Sequence, residues 1–470
     1  MTDVNVRRPK VGLLGLTLEF YERLAPQLRP DREQFVRRRL IPNLADSADI
    51  SFEAAVFRRE DVDRTVRAFE ADGADAILVV LLSYAPSLIA ADALRRTDLP
   101  IIVWNTQELL AVDASYGDAE LIANHGVHGT HDLCNVLTRA GVPFSYVTGH
   151  VDDREAIRSL DDHFRAAFAA RRLRHARLGL LGYPFPGMGD FGLDTTHLAT
   201  SLGCTWEALA LSEYNRRAEQ ADPAAVAGLV ADYRRSYEIG PGIDDVDLTA
   251  TARAEIALRG LVRDARLDAY SYQFLSFGQD DRTETLPFVA ASRLLAEGIG
   301  FGGEGDLISA AHSSMVGWLQ PPASFSEMFT IDFAGNAVLL SHMGEANVAM
   351  ARKDRKVRMV RRPGPIVPTR GSQCALVTTF APGPATLSAL TLTAGSRWRI
   401  IAAQVTIEDF GPLPQLCTPH SKMRPGGDVR EFLDAYACAG GPHHLAICFG
   451  DARKRLAMAA RCLGAEYVGL

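Results

Sequence analysis

The feature that most constrains this chain is a series of short, continuous apolar runs spaced about a helix apart. Val11-Gly-Leu-Leu-Gly15, Ile50-Ser-Phe-Glu-Ala-Ala-Val56, Ala76-Ile-Leu-Val-Val-Leu-Leu82, Ile101-Ile-Val-Trp104 and Phe144-Ser-Tyr-Val147 read as strands, with room for a crossover helix between neighbours. Val62, Val66 and Phe69 mark one apolar helix stripe, and Ile157, Leu160 and Phe164 mark another. Runs that are apolar throughout, rather than alternating, belong to strands covered on both faces. The N-terminal part therefore predicts a parallel, doubly wound α/β sheet between helix layers, Rossmann-like or flavodoxin-like.

A basic stretch, Arg171-Arg-Leu-Arg-His-Ala-Arg177, precedes a new strand run, Leu178-Gly-Leu-Leu-Gly182, where the βα rhythm restarts. From about Cys374 the pattern changes to β-rich runs, Ala375–Phe380, Thr386–Leu392 and Trp398–Ile401, separated by Pro-Gly and Ala-Gly-Ser turns. Such runs suit an antiparallel sheet or barrel. The chain is thus expected to hold an N-terminal α/β domain over 1–174, a central α/β domain over 175–320 and a C-terminal β-barrel-like domain over 321–470. Its 470 residues allow this, because single cores stop growing at about 250–300 residues.

Charge narrows the classes of function. Fifty Lys+Arg against 57 Asp+Glu leave a formal charge of −7, which disfavours a general binder of nucleic acid or of anionic membranes. The run Arg352-Lys-Asp-Arg-Lys-Val-Arg358, followed by Arg361-Arg362, alternates with Val357, Met359 and Val360 and reads as a solvated strand face. No stretch reaches the ~18 uncharged apolar residues of a membrane span. Residues 1–10 show no apolar segment behind their basic residues, so a cytoplasmic protein is expected. Cys134, Cys204, Cys374, Cys417, Cys438, Cys448 and Cys462 are odd in number, scattered and never in a CxxC pair, which fits reduced thiols.

Gly12-Leu-Leu-Gly15 and Gly179-Leu-Leu-Gly182 lack the third glycine of the dinucleotide fingerprint, and no GxxxxGK[ST] occurs, so a nucleotide cofactor is not expected. Gly187-Met-Gly-Asp-Phe-Gly192, after Tyr183-Pro-Phe-Pro186, is an open loop at a strand end, where α/β sheets bind ligands. Chemistry concentrates in Glu304 of Phe301-Gly-Gly-Glu-Gly-Asp306, Glu327 of Ser324-Phe-Ser-Glu327, His342 of Leu340-Ser-His-Met343 and His444 of Ala439-Gly-Gly-Pro-His-His444. Two carboxylates and two imidazoles suit Mn²⁺, Mg²⁺ or Co²⁺ better than structural zinc. Their long spacing leaves open whether they meet or serve separately as caps, turn residues and core histidines. Asn124-His-Gly-Val-His-Gly-Thr-His131 is a second polar concentration, in which His128 and His131 can face one site or line an exposed helix start.

These residues resemble the L-arabinose isomerase family, within the wider L-fucose/L-arabinose isomerase group. The likeness is carried by Trp104-Asn-Thr-Gln107, Asn124-His-Gly-Val-His-Gly129, Val147-Thr-Gly-His150 and the four segments around Glu304, Glu327, His342 and His444, in the family's order. The resemblance implies that these four residues bind one catalytic Mn²⁺ (Co²⁺ or Mg²⁺ in its place), the glutamates also moving protons. It further implies that Gln107 and His128 contact the sugar, and that the site forms at a subunit interface of a homo-trimer or homo-hexamer. Thr17-Leu-Glu-Phe-Tyr21 replaces the family's Gln-His-Leu-Tyr-Gly stretch, so sugar contacts from that loop do not carry over.

The chemistry explains the residue types. Aldose–ketose isomerisation moves a proton between C2 and C1 through an enediol, which a carboxylate base and a divalent cation at O1 and O2 make accessible. Neutral imidazoles add ligands without adding negative charge. In a strand, adjacent side chains point to opposite faces, so of His443 and His444 only one is expected to reach the metal; the family match selects His444. A metal-dependent epimerase or other enediolate enzyme, or a sugar-binding protein without turnover, are the competing readings.

Overall fold

The structure, a computed structural model, describes residues 7–470. The expectation about a leader segment rests partly on residues 1–6, which lie outside the described residues. The chain divides into two compact units, 7–171 and 172–470.

In the first unit the apolar runs become strands β1 (Lys10–Leu16), β2 (Asp49–Ser51), β3 (Ala76–Leu81), β4 (Ile101–Asn105) and β5 (Phe144–Thr148). They form one parallel sheet in the order β2-β1-β3-β4-β5, the flavodoxin-like arrangement. Successive side chains enter two different cores. Val11, Leu13, Leu78, Val80, Ile102 and Trp104 pack on one face, and Leu14, Leu16, Ile77, Val79, Ile101 and Val103 on the other. Burial on both faces is the reason the runs are apolar throughout, each large side chain contributing about 1.5–3 kcal/mol. Helix Arg59–Ala71 adds Val62, Val66 and Phe69 to the second core, while Leu160 and Phe164 of helix Arg154–Arg174 join the first. The run Ile50–Val56 departs from expectation. Pairing stops at Ser51 because the chain turns away: Ala55 N donates to Glu33 Oε1 (3.1 Å), and Val56 keeps only an isolated bridge to Leu16.

The second unit opens with β6 (Arg177–Leu181) and β7 (Thr205–Leu209), then β8 (Glu238–Ile239), β9 (Ala269–Tyr272) and β10 (Gly300–Gly302). A parallel sheet runs β10-β9-β6-β7. The remaining strands are β11 (Ala323–Asp332), β12 (Ala337–Ser341), β13 (Arg358–Arg361), β14 (Cys374–Val377), β15 (Gly383–Thr393), β16 (Arg397–Ile407), β17 (His420–Pro425), β18 (His444–Phe449) and β19 (Glu466–Gly469). Strands β15-β18-β11-β12-β17-β16 are antiparallel neighbours, and β16 pairs back along β15 to close a barrel, with β19 added parallel to β16. The barrel thus begins at Ala323, well before the β-rich pattern first becomes visible near Cys374. β13 joins β14 and β8 in a separate small sheet. The basic run is not a solvated strand face along its whole length: Arg352 is buried and paired with Asp354 and Asp409, and strand pairing starts only at Arg358.

Among the described residues no helix is long and apolar enough to cross a membrane. All seven cysteines are free thiols.

Helix Leu307–Leu319 packs against the barrel, where His312 Nε2 meets Ser388 Oγ at 2.7 Å in a fully buried contact. Burial pushes the His312 pKa down from 6.5 to about 4. Below about pH 6.5 the unfolded chain takes up a proton that the folded protein accepts only near pH 4, so stability falls as pH drops through that window. At 1.36 kcal/mol per unit the loss is up to roughly 3 kcal/mol. Urea midpoints at pH 7 and pH 4.5 should therefore fall further for the wild type than for His312→Asn; equal pH dependence would refute the assignment.

Candidate metal and catalytic site

Strand pairing builds one side of the site. Glu327 of β11 lies opposite His444 of β18 and opposite Ser341 of β12, which puts His444, Glu327 and, one residue beyond Ser341, His342 in a row at one rim of the barrel. Alternation along β11 turns Phe325 to the same face as Glu327. Phe325 makes an apolar floor, its ring centroid 4.7 Å from that of His342 and 4.9 Å from that of His444.

The other side comes from the loop after β10, at the carboxyl end of the parallel sheet, where α/β proteins bind ligands. Ser271 Oγ donates to Gly302 O (2.6 Å) and accepts from Gly305 N (2.9 Å), pinning the loop to β9. Gly305 adopts φ +88°, and a Cβ there would stand 2.6 Å from Tyr183 O, so the loop lies flush on the segment after β6. Phe185 N donates to Glu304 O (2.9 Å). Glu304 itself holds φ +59°, a left-handed conformation that costs a non-glycine residue about 1 kcal/mol and that recurs where function fixes the backbone.

Each imidazole is aimed by a carboxylate. Asp306 caps helix Leu307–Leu319 through Oδ1, which accepts from Ile308 N and Ser309 N, while its Oδ2 meets His444 Nδ1 at 2.9 Å. Glu345 Oε2 meets His342 Nδ1 at 2.5 Å, and its other oxygen accepts from Tyr272 OH. Both rings are left with Nε2 facing inward, the arrangement of metal-ligating histidines. Glu304 Oε2, His342 Nε2 and His444 Nε2 are buried without a hydrogen-bond partner, although His444 Nε2 lies 3.0 Å from Glu327 Oε1. A Cβ on Gly303 would sit 3.0 Å from both His342 Nε2 and His444 Nε2, so the two nitrogens look onto one small space. Buried acceptors without donors are costly unless a cation joins them. The four residues therefore fit a divalent ion.

Electrostatics agree. Burial alone lowers the His342 pKa, but Glu345, Glu327 and Glu304 more than reverse this and raise it to about 9. Burial likewise raises the Glu327 pKa, yet the neighbouring histidines leave it below the usual carboxylate value. The pocket draws positive charge, a demand that a divalent ion would meet in place of protons.

The structure also brings in residues that sequence reasoning left aside. His443 sits in a bend before β18 rather than within the strand, so alternation does not turn it away, and the two rings lie with centroids 4.0 Å apart. The donor atoms of Glu304, Glu327, His443 and His444 all lie within 4.8 Å of one another. Asp190, from the glycine-rich loop after β6, accepts from His443 N (3.0 Å) and meets its Nδ1 (2.5 Å), while Phe191 stacks on His444 at 5.6 Å. The signals available were the Gly-Gly-Pro before the His-His pair, which delays the strand, and the lone acid in an otherwise apolar loop.

Gln107 and His128 belong to the first unit. Gln107 Nε2 donates to Leu109 O (2.7 Å) within its own loop. His128, exposed on helix Gly126–Arg139, stacks on Tyr84 with centroids 4.6 Å apart; its near neighbour is His125 at 5.3 Å rather than His131. His125 Nε2 also meets Tyr21 OH (2.8 Å), so the divergent Thr17–Tyr21 loop enters this cluster.

Two family models match the chain: the L-arabinose isomerase central domain over residues 193–320 and the L-arabinose isomerase C-terminal domain over residues 322–466. An L-arabinose isomerase of Acidothermus cellulolyticus is 28% identical over 417 residues, covering 85% of this chain and 81% of that one. One of Nocardioides sp. is 27% identical over 446 residues, covering 91% and 86%. A solute-binding protein of Actinobacillus succinogenes solved with D-allose aligns at TM-score 0.17 and 15% identity over 66% of this chain and 92% of that one, too weak to bear on the fold. By class, then, this is an aldose–ketose isomerase. The chain belongs to the L-arabinose isomerase family.

Proposed function

We propose that the chain interconverts an aldose and a ketose through an enediol, with Glu304, Glu327, His342 and His444 holding one divalent cation, Mn²⁺ first and Co²⁺ or Mg²⁺ as substitutes. The observation that carries this reading is the set of buried, partnerless atoms Glu304 Oε2, His342 Nε2 and His444 Nε2 around one space. A divalent ion held by these four residues would supply Lewis-acid stabilisation of the negative charge that develops on the sugar as the enediol forms. Glu327, kept ionised by its histidine neighbours, is placed to take the C2 proton and return it to C1. Glu304, across from it, serves the proton that passes between O2 and O1. Asp306 and Glu345 hold the imidazole rings still while charge moves. The Phe325 floor and the Phe191 cover limit access of water. Gln107 and His128 serve as sugar contacts offered by an adjoining copy in a homo-trimer or homo-hexamer.

The second reading, a metal-dependent epimerase or other enediolate enzyme acting on another polyol, is motivated by the altered Thr17–Tyr21 loop, whose Tyr21 meets His125. Purified protein with Mn²⁺ and a panel of aldoses and ketoses in D₂O, followed by NMR, separates the outcomes. Deuterium at C1 of a ketose formed from an aldose supports isomerisation; an aldose deuterated and inverted at C2 signals an epimerase. Sugar binding that ignores metal, with no turnover of any sugar, would overturn both enzymatic readings.

A further inference from the structure

We infer that the cleft between segment 351–358 and loop 410–414 is a binding site for a small molecule that carries a phosphate group. The inference does not rest on the proposed function, and the cleft shares no residue with the cation site. The cleft has a volume of about 240 Å³ and is bordered by Arg355, Lys356, Arg358, Thr379, Leu413 and His420. Sites for drug-sized ligands run to roughly 300–1,000 Å³, so this one suits an ion or a small metabolite rather than a nucleotide.

The charge of the cleft is built into its walls. Segment 351–358 holds Arg352, Lys353, Arg355, Lys356 and Arg358 against one carboxylate, Asp354, in a chain whose formal charge is −7. Arg352 is buried and its guanidinium pairs with Asp354 (2.7 Å) and Asp409 (2.7 Å), which fastens the segment to the loop after β16. Arg355 Nη2 donates to Phe410 O (3.1 Å) and fastens it again. Both local carboxylates are thereby engaged, and among the described residues Arg355, Lys356 and Arg358 pair with no carboxylate. Glu238, opposite Arg358 in the small sheet, is exposed and makes no ion pair with it. Three cations around one recess repel one another, and an anion seated among them relieves that repulsion. Guanidinium forks and an ammonium group are the usual partners of phosphate oxygens. His420 adds a polar wall: it is 5% exposed, and its Nδ1 donates to Thr418 O (2.8 Å), which leaves Nε2 as the ring's remaining polar atom. Burial, with the charge of Arg358, holds its pKa below the ordinary imidazole value, so the neutral ring accepts from a hydroxyl or a protonated phosphate oxygen. Pro412-Leu-Pro414 supplies an apolar edge for the carbon skeleton of a phosphate ester.

The test titrates inorganic phosphate and, separately, ribose 5-phosphate into the purified full chain by calorimetry at about 0.15 M salt. Wild type, Arg355→Gln, Lys356→Gln and Arg358→Gln are compared with Lys353→Gln, which removes the same charge from the same segment but outside the cleft. Saturable binding of one molecule per chain is expected. Each of the three cleft variants should weaken it roughly tenfold, the loss of one charge-assisted hydrogen bond, and Lys353→Gln less than about twofold. Tighter binding of the ester than of the free ion identifies a phosphorylated small molecule as the ligand, and equal binding identifies the phosphate ion; both support the site. Lys356 is exposed, so Lys356→Gln carries the test if an arginine variant does not fold. Absence of saturable binding, or equal weakening in Lys353→Gln and the cleft variants, would overturn the site. Retention of single-stranded RNA without saturable phosphate binding, lost in the same variants, would overturn it as well and make the run a nucleic-acid face.

Discussion

Replacing Glu304 or Glu327 with Gln should lower turnover by roughly 10²–10⁴-fold while leaving the melting temperature of the metal-free protein within a few degrees of wild type. Gln matches Glu in shape but neither accepts a proton at neutral pH nor balances a cation's charge. Both side chains end in the pocket rather than in the apolar core: Glu304 Oε2 has no hydrogen-bond partner and Glu327 Oε1 meets only the site histidine His444. The separation of fold from function is what makes the measurement decisive. Steady-state rates with saturating Mn²⁺, alongside circular dichroism melts, provide both halves. Wild-type-like turnover in either variant would remove that glutamate from the chemistry.

Gly303→Ala should abolish tight metal binding through a single methyl group. The added Cβ would lie 3.0 Å from His342 Nε2, 3.0 Å from His444 Nε2 and 3.1 Å from Phe325 Cζ, occupying the space the two nitrogens share. Phe325 is buried beneath both rings, and the rings are held through Nδ1 by Glu345 and Asp306, so none of the three can retreat cheaply. Overpacking of this kind typically costs about 1–3 kcal/mol, which a chain of this size tolerates. The effect on Mn²⁺ affinity should be at least the roughly 10–100-fold seen when a ligand's support is disturbed. Electron paramagnetic resonance of free Mn²⁺ during titration reads it directly. Unaltered affinity in a folded Gly303→Ala protein would mean the ion sits elsewhere.

How much of this was visible in the sequence depends on the range of the interaction. β1, β3, β4 and β5 were legible because two-sided burial is written locally, in unbroken apolar runs such as Ala76–Leu81. The strand over Ile50–Val56 is shorter than its apolar run because the backbone leaves the sheet after Ser51, where Ala55 N turns to Glu33, a residue distant in sequence. The barrel strands β11 and β12 mix serines, acids and apolar residues, so their membership shows only once β18 and β17 are alongside. The chemical types of Glu304, Glu327, His342 and His444 stood out among their glycines and serines. Their meeting did not, since it depends on cross-strand pairing and on a loop turned by Gly305. Asp190 and His443 were harder still, because an acid in a loop and a doubled histidine each have ordinary explanations until the contact of 2.5 Å is seen.

β11, β12 and β18 are interior members of a closed ring, each bonded to a neighbour on either side. Shifting any one of them by a single residue would turn its inward side chains outward and break two ladders together. The donors are therefore set like teeth on a gear wheel, unable to creep singly. Their mutual spacing is thus a property of the closed ring as a whole rather than of any one strand.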